Sequence, residues 1–101
     1  MQMLELAGLE ANADEAARFL KLMANEQRLL VLCQLVMNGE MTVNALADSV
    51  GLSQSALSQH LARLREDGLV AFRREAQTLH YRIADPRAVQ LLKTLKRMFC
   101  P

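Results

Sequence analysis

The chain has 101 residues, the size of one domain with one hydrophobic core, which excludes a two-domain protein. Its composition is 51% hydrophobic and 23% charged with four glycines and two prolines, which excludes an intrinsically disordered chain. The start of the chain has no basic segment, and no apolar run approaches the roughly 18 residues that a membrane-spanning helix needs. We therefore expect a soluble, cytoplasmic protein that does not contact a membrane.

The formal net charge of +1 conceals an uneven distribution of charge along the chain. Residues 1–52 carry three basic and seven acidic side chains, whereas residues 53–101 carry nine basic and four acidic ones. This polarity favours contact between the second half and an anion such as nucleic acid. The alternative is ordinary clustering of solvated charge in a small domain, and charge alone does not decide between the two.

The first predicted element is a helix over about residues 10–23. Apolar residues recur there at alternating spacings of four and three, which is typical of one apolar stripe on a helix. The stripe consists of Leu9, Ala13, Ala16, Leu20 and Met23. It is either intramolecular core or, paired across a two-fold axis with a similar stripe on the last helix, a dimer contact.

Three further helices are predicted between residues 25 and 67. Helix-capping residues precede each apolar pattern, and glycine follows it. Asn25 begins the second helix and Asn38-Gly39 ends it, Thr42 begins a short third helix that ends at Gly51, and Ser53 caps a fourth over about residues 54–67.

The pattern then changes to short runs of β-branched and aromatic residues over about 70–83, interrupted by the polar Glu75-Ala76-Gln77 segment, which predicts a β-hairpin. Asp85-Pro86 marks the start of a last helix over 86–99. Two close helices with a hairpin directly behind the second make a winged helix-turn-helix. We therefore predict a single domain over residues 1–101, mainly α with a small β-hairpin (the wing), that pairs as a homodimer through the helices at 10–23 and 86–99.

The helix at 54–67 is the predicted DNA-reading helix. With Leu57 at the centre of the buried face, a step of 100° per residue turns short polar and amide side chains outward in the first two turns, where such a helix meets base edges. The candidate DNA-binding residues of this helix are Gln54, Ser55, Ser58, Gln59, His60 and Arg63. The amide of Gln59 suits bidentate pairing with adenine, Gln54 is placed for a phosphate or base contact, and His60, at the edge of the buried face, suits a structural or phosphate-contacting role better than base readout. The alternative is the solvated face of a helical bundle.

The wing supplies the second group of candidate DNA-binding residues. Arg73 and Arg74 precede its tip and Gln77 occupies the tip, where basic and polar side chains reach phosphates or a minor groove. Arginines in a short exposed hairpin also protect a sheet edge from pairing with other chains, which is the alternative reading.

The sequence resembles the ArsR/SmtB family of winged-helix regulators. The resemblance lies in the stretch from Ala45 through Gly51-Leu52-Ser53-Gln54-Ser55-Ala56-Leu57-Ser58-Gln59-His60-Leu61 to Asp67-Gly68-Leu69-Val70, and it extends over essentially the whole chain. Within the family the chain is similar to the dithiol, persulfide-sensing branch of the BigR, SqrR and HlyU type, which shares the positions of Cys33 and Cys100.

The resemblance implies a homodimeric repressor that binds a palindromic operator in double-stranded DNA. It also implies that persulfides or related reactive sulfur species switch the protein through a reversible disulfide or polysulfide bridge between Cys33 and Cys100. The alternatives within the family are an anti-silencing activator of the HlyU type and a general peroxide or redox sensor. Taken alone, Cys33 is on an apolar stripe and reads as a core residue, and both cysteines are expected as free thiols.

Other classes of function fit the sequence less well. Metal-sensing members of the family that the chain resembles carry a cysteine pair in the helix before the reading helix or Asp/His pairs on the last helix. Here the first of these helices has no cysteine and the last helix has no histidine, and the chain has no local cluster of histidines and cysteines, so we expect neither a metal sensor nor any other metal site. No Cys-x-x-Cys motif, βαβ unit or base beside either thiol is present, so we expect no enzymatic activity and no cofactor. A winged helix that binds only protein remains a further alternative.

Overall fold

The computed structural model describes the backbone of residues 3–100 and the side chains of residues 7–100. The described residues form the helices α1 (Met3–Ala11), α2 (Ala13–Met23), α3 (Glu26–Asn38), α4 (Val43–Val50), α5 (Gln54–Glu66) and α6 (Pro86–Phe99), and the strands β1 (Glu40–Thr42), β2 (Val70–Glu75) and β3 (Thr78–Ile83). The strand β1 lies between α3 and α4 along the chain. This architecture confirms the predicted winged helix-turn-helix of mainly α class.

The segment predicted as one helix from about residue 10 to 23 differs in the structure, because it is divided between α1 and α2 at Asn12. Asn12 has φ −115° and ψ 15°, and its side-chain amide donates a hydrogen bond to the carbonyl of Gly8 at 3.1 Å. Asparagine side chains that bond to nearby backbone compete with helix continuation. The carbonyl of Asn12 accepts from the amide of Ala16 and so begins a new helix.

The predicted apolar stripe is divided between two faces of the molecule. Met23 is buried, together with Leu22, and packs into the core. Leu9 and Leu20 are about half exposed, at 48% and 53%. The stripe at 10–23 therefore does not face the protomer's own core as a unit.

The core is formed where α3, α4 and α5 pack together and against the sheet. The three helices each contribute buried side chains from one face, and the chain entering β2 adds two more. The largest are Val31, Leu32, Leu35, Leu46, Leu57, Leu61, Leu64, Leu69 and Val70. Because Leu57, Leu61 and Leu64 bury one side of α5, the opposite side of that helix must face solvent.

The sheet has a third strand that the sequence patterns did not predict. β1 pairs antiparallel with β3, which also pairs with β2, so that the order is β1-β3-β2. β1 is only three residues long and carries no alternating apolar pattern of its own. Its strand conformation comes from hydrogen bonding to β3, a tertiary effect that local sequence does not encode.

The helix starts agree with the predicted caps. The side chains of Asn25, Thr42, Ser53 and Asp85 each accept a hydrogen bond from a backbone N–H in the first turn of the following helix. Gly51 has φ 71°, a left-handed conformation that lets the chain turn sharply from α4 into α5. Among residues 3–100, no helix combines the length and the apolar character needed to cross a membrane.

Candidate nucleic-acid interface and cysteine pair

The outer face of α5 carries the predicted reading residues. Gln54, Ser55, Ser58, Gln59 and Arg63 are exposed, and His60 is half-buried at the edge of the packed face. The Ser53 hydroxyl accepts from the amide of Ala56 at 3.1 Å and holds the first turn in place. The helix therefore presents a row of hydroxyl and amide groups supported from behind by a fully buried leucine face.

Sequence reasoning missed one polar neighbour of this row. The side-chain amide nitrogen of Gln54 donates a hydrogen bond to the side-chain oxygen of Asn44, which lies at the start of α4. The bond fixes which edge of the Gln54 amide points outward, leaving its oxygen as an acceptor. No local pattern could have identified Asn44, because its partner is ten residues away and the two helices meet only in the tertiary structure.

A shallow groove of about 290 Å³ joins the start of α5 to the tip of the wing. Its lining includes Asn44 and Gln54 from the helix-turn-helix and Gln77 and Thr78 from the wing. The fold therefore brings Gln54 and Gln77, which the sequence singled out separately, to one polar surface.

The wing is tied to α5 by an aromatic contact. The guanidinium of Arg65 lies 5.1 Å from the ring centroid of Phe72 on β2, and that ring lies 5.4 Å from the ring of Tyr81 on β3. Cation–π contacts of this kind stabilise the packing of a helix against a sheet. Consecutive strand residues point to opposite faces, so Arg74 shares the α5 side of the sheet with Phe72 and extends it toward the wing tip. Arg74 is exposed and, among residues 7–100, has no carboxylate within 4.0 Å.

Arg73 lies on the other face of the sheet and is engaged by two carboxylates. Its guanidinium forms ion pairs with Glu40 of β1 at 2.8 Å and with Glu75 of β2 at 2.9 Å. His80 of β3 lies beside them, with ring nitrogens 4.0 Å from the Glu40 carboxylate and 3.7 Å from that of Glu75. This cluster joins the three strands on the face away from α5.

Hydrogen bonding to Arg73 lowers the pKa of the Glu40 carboxyl and that of the Glu75 carboxyl below their ordinary values. Both carboxylates therefore stay ionised in mildly acidic solution and keep Arg73 occupied. Of the two arginines predicted to contact DNA from the wing, Arg73 is already paired, whereas Arg74 forms no ion pair with any of the side chains at 7–100.

The two thiols lie on helices that pack together. Cys33 is half-buried on α3, against the core, and Cys100 is exposed and caps the end of α6. Both are free thiols, as expected from the sequence. The amide of Cys100 donates to the carbonyl of Lys96 at 2.9 Å, so the last turn of α6 positions this residue.

The surroundings of Cys33 shift the pKa of its thiol. Burial raises the pKa of the Cys33 thiol, the Cys100 thiolate raises it further, and the Lys96 ammonium lowers it. The packing of α3 against α6 thus places two cysteines that are 67 positions apart in the sequence on neighbouring helices.

Within residues 7–100, no three His, Cys, Asp or Glu side chains are placed to hold a metal ion. The two histidines lie apart from each other, His60 half-buried on α5 and His80 beside the carboxylates of Glu40 and Glu75.

Comparison with known proteins gives consistent relatives. Residues 25–71 match the family described as bacterial regulatory protein, arsR family. The transcriptional activator HlyU of Vibrio cholerae is 46% identical over 97 residues, covering 96% of this chain and 89% of HlyU. The HTH-type transcriptional regulator YgaV of Escherichia coli is 43% identical over 99 residues, covering 98% of this chain and all of YgaV.

A solved structure agrees with the described fold. The crystal structure of the transcriptional repressor BigR from Xylella fastidiosa superposes with a TM-score of 0.88 at 36% sequence identity, covering 100% of this chain and 99% of that one. The similarity extends over the helices and the wing together.

Proposed function

The chain belongs to the ArsR family of bacterial regulatory proteins and is a transcriptional regulator. We propose that it is a cytoplasmic repressor that binds a palindromic DNA operator as a homodimer. The observation that carries the proposal is the exposed polar face of α5 beside a wing with a free arginine. This arrangement fits one helix in the major groove and a hairpin against the flanking backbone.

The proposal assigns a role to each predicted DNA-contacting residue. Gln59 pairs with the edge of an adenine, and Ser55 and Ser58 bond to neighbouring base edges. Gln54, held by Asn44, contacts a base or phosphate at the edge of the site. The flanking phosphates are contacted by His60 and Arg63 from α5 and by Arg73, Arg74 and Gln77 from the wing, with Arg74 better placed than Arg73 because its charge is free.

The homodimer is supported by apolar side chains that the protomer leaves in water. Leu20 on α2 is 53% exposed, and Met98 and Phe99 at the end of α6 are 67% and 76% exposed. Pairing of α2 and α6 with a second copy removes these side chains from water. A two-fold axis then sets the two α5 helices at half-sites about 34–36 Å apart, which a palindromic operator matches.

The switch in this proposal is a bridge between Cys33 and Cys100. The Cys100 thiolate attacks the outer sulfur of a persulfide R–S–SH, giving Cys100–S–SH and releasing RS⁻. The Cys33 thiolate then attacks the Cys100 sulfur, forming the disulfide and releasing HS⁻. Two thiolates are oxidised and one sulfur–sulfur bond of the donor is reduced. Exposure of Cys100 and the raised pKa of Cys33 support this order of attack.

The bridge reaches DNA through the dimer. It ties α3 to α6, and α6 is a dimer helix in this proposal, so closing the bridge shifts one protomer against the other. Half-sites one helical turn apart tolerate little change in the separation of the two α5 helices. A coupling free energy of about 1–3 kcal/mol then lowers operator affinity several-fold or more, and the bridged protein releases DNA.

The experiment is a titration of operator DNA with wild-type protein, Cys33→Ser and Cys100→Ser, before and after treatment with a persulfide donor. We expect all three reduced proteins to bind, and only the wild type to lose affinity on treatment. Loss of affinity in either single variant, or unchanged binding by treated wild type, would overturn the two-thiol switch. Intact mass after persulfide, peroxide and disulfide treatment distinguishes a sulfur-specific sensor from a general redox sensor.

Two further measurements test the remaining parts of the proposal. Sedimentation at micromolar concentration should give twice the 11.3 kDa protomer mass, and a monomer would contradict the paired α5 helices. A reporter gene behind the operator should be silent until the donor is added, whereas expression that requires the reduced protein would identify an activator.

A further inference from the structure

A second groove, of about 290 Å³, runs between α2 and α5 away from the wing. Its polar lining consists of Arg18 and Lys21 from α2, Arg63 from α5, and Asp67, which caps the end of α5. Three cations therefore face one carboxylate. Arg18 and Lys21 are two of only three basic residues in the first 52 positions, so the acidic half of the chain places most of its positive charge at this groove.

Within the part of the chain whose side chains the structure describes, the cations of the groove form no ion pair. None of the three cations has a carboxylate oxygen of residues 7–100 within 4.0 Å of its side-chain nitrogens. Glu15, which lies next to Arg18 in the adjoining depression, is paired with Arg87 at 2.9 Å. With three cations against the one carboxylate of Asp67, the groove carries an excess of positive charge that attracts an anion.

The groove continues the proposed reading surface along α5. Arg63 follows Gln59 by four residues, which places it one turn further along the helix and about 40° around its axis. In a helix-turn-helix the first residues of the reading helix meet base edges, and phosphate contacts on either side of them fix the position of the protein on the duplex. With Ser55 and Gln59 in the major groove, a cationic groove one turn further along α5 is a candidate for such a phosphate contact.

We propose that this groove binds a phosphate of the operator backbone, with Arg18 and Lys21 as DNA-contacting residues on α2. The inference rests on the proposed DNA-binding function and extends its footprint beyond α5 and the wing. The contact is independent of base sequence, since the two cationic side chains address phosphate charge.

The test compares the double variant Arg18→Gln/Lys21→Gln with the matched control Lys93→Gln/Arg97→Gln. Each double variant removes one arginine and one lysine that are exposed, and the control pair lies on the polar face of α6. Affinity for operator and for random DNA is measured with reduced protein over a series of salt concentrations. Circular dichroism checks that both variants remain folded.

If each protomer of a dimer loses one phosphate contact, the slope of log affinity against log salt becomes less steep by about 1.8, at about 0.9 per contact. We expect this change for the groove variant on both DNAs, with the preference for operator retained and the control close to wild type. A wild-type slope in the groove variant, or an equal change in the control, would overturn the inference while leaving the proposed function standing. Wild-type protein that ignores DNA at low salt would instead refute the proposed function.

A free anion is the alternative occupant of the groove. Thermal unfolding of the same proteins with and without inorganic phosphate measures whether a free anion binds and stabilises them. Loss of phosphate stabilisation in the groove variant together with unchanged DNA affinity would assign the groove to a free anion and overturn the proposal.

Discussion

Closure of the bridge between Cys33 and Cys100 should stabilise the protomer by an amount that the length of the closed loop determines. The bridge would enclose 68 residues, about two thirds of the chain. Loop closure of this length lowers the entropy of the unfolded chain by the equivalent of about 4 kcal/mol at 25 °C.

The cost of closing the bridge in the folded protein lowers the expected stabilisation. A disulfide needs the two Cα atoms within roughly 4.4–6.8 Å of each other, and we expect the exposed last turn of α6, which carries Cys100, to adjust when the bridge closes. Such an adjustment would break the hydrogen bond from the Cys100 amide to Lys96, at a cost of about 1 kcal/mol. The net gain in the free energy of unfolding is then about 3 kcal/mol.

Urea unfolding of reduced and donor-treated protein measures this gain. With a denaturant slope of about 1.5 kcal/mol per M, the midpoint should rise by about 2 M. Protein concentration is held fixed because dimerisation also stabilises the protomer. Cys33→Ser and Cys100→Ser serve as controls and should show no shift. An unchanged midpoint, a shift in either variant, or covalent dimers on a non-reducing gel would refute an intramolecular bridge.

Three other outcomes are expected. Gln59→Ala should weaken operator binding by about 1–3 kcal/mol while sparing random DNA, whereas Arg74→Ala should weaken binding to both DNAs and flatten the salt dependence. Competition titrations at two salt concentrations measure this, and equal losses of affinity for operator and random DNA in Gln59→Ala would contradict its role as a base reader. Ala76 has φ 56° in the two-residue wing turn, so Ala76→Gly should raise the free energy of unfolding by about 1 kcal/mol in urea melts, and destabilisation would contradict the strain argument. Iodoacetamide at pH 8 should label Cys100 before Cys33, because the Cys33 thiol is half-buried and its pKa is raised. Labelling of Cys33 should become faster as the pH rises. Peptide mass spectrometry measures the order of labelling, and the reverse order would contradict this reasoning.

Much of the fold follows from local signals in the sequence. Thr42, Ser53 and Asp85 cap helices because a short polar side chain beside an apolar periodic run bonds to the free amides of the first turn. The buried leucine face of α5 follows from spacing alone, and so does the outward position of Ser55 and Gln59. These features depend on neighbours within four residues, which the sequence displays directly.

The break at Asn12 lies at the limit of this reasoning. Its apolar neighbours continue the helical period, but its side chain bonds to the Gly8 carbonyl and begins a new helix. Periodicity alone does not tell an asparagine inside a helix from one that separates two helices.

The amino-acid sequence by itself determined the order of the main elements, the winged helix-turn-helix class and the residues on the face of α5. Only the tertiary structure decided which charges are free and which groups meet: Arg73 is paired with Glu40, Arg74 is left exposed, and Gln54 is held by Asn44. Capping and periodicity act within one or two helical turns, whereas an ion pair or hydrogen bond between distant residues exists only after the chain has packed.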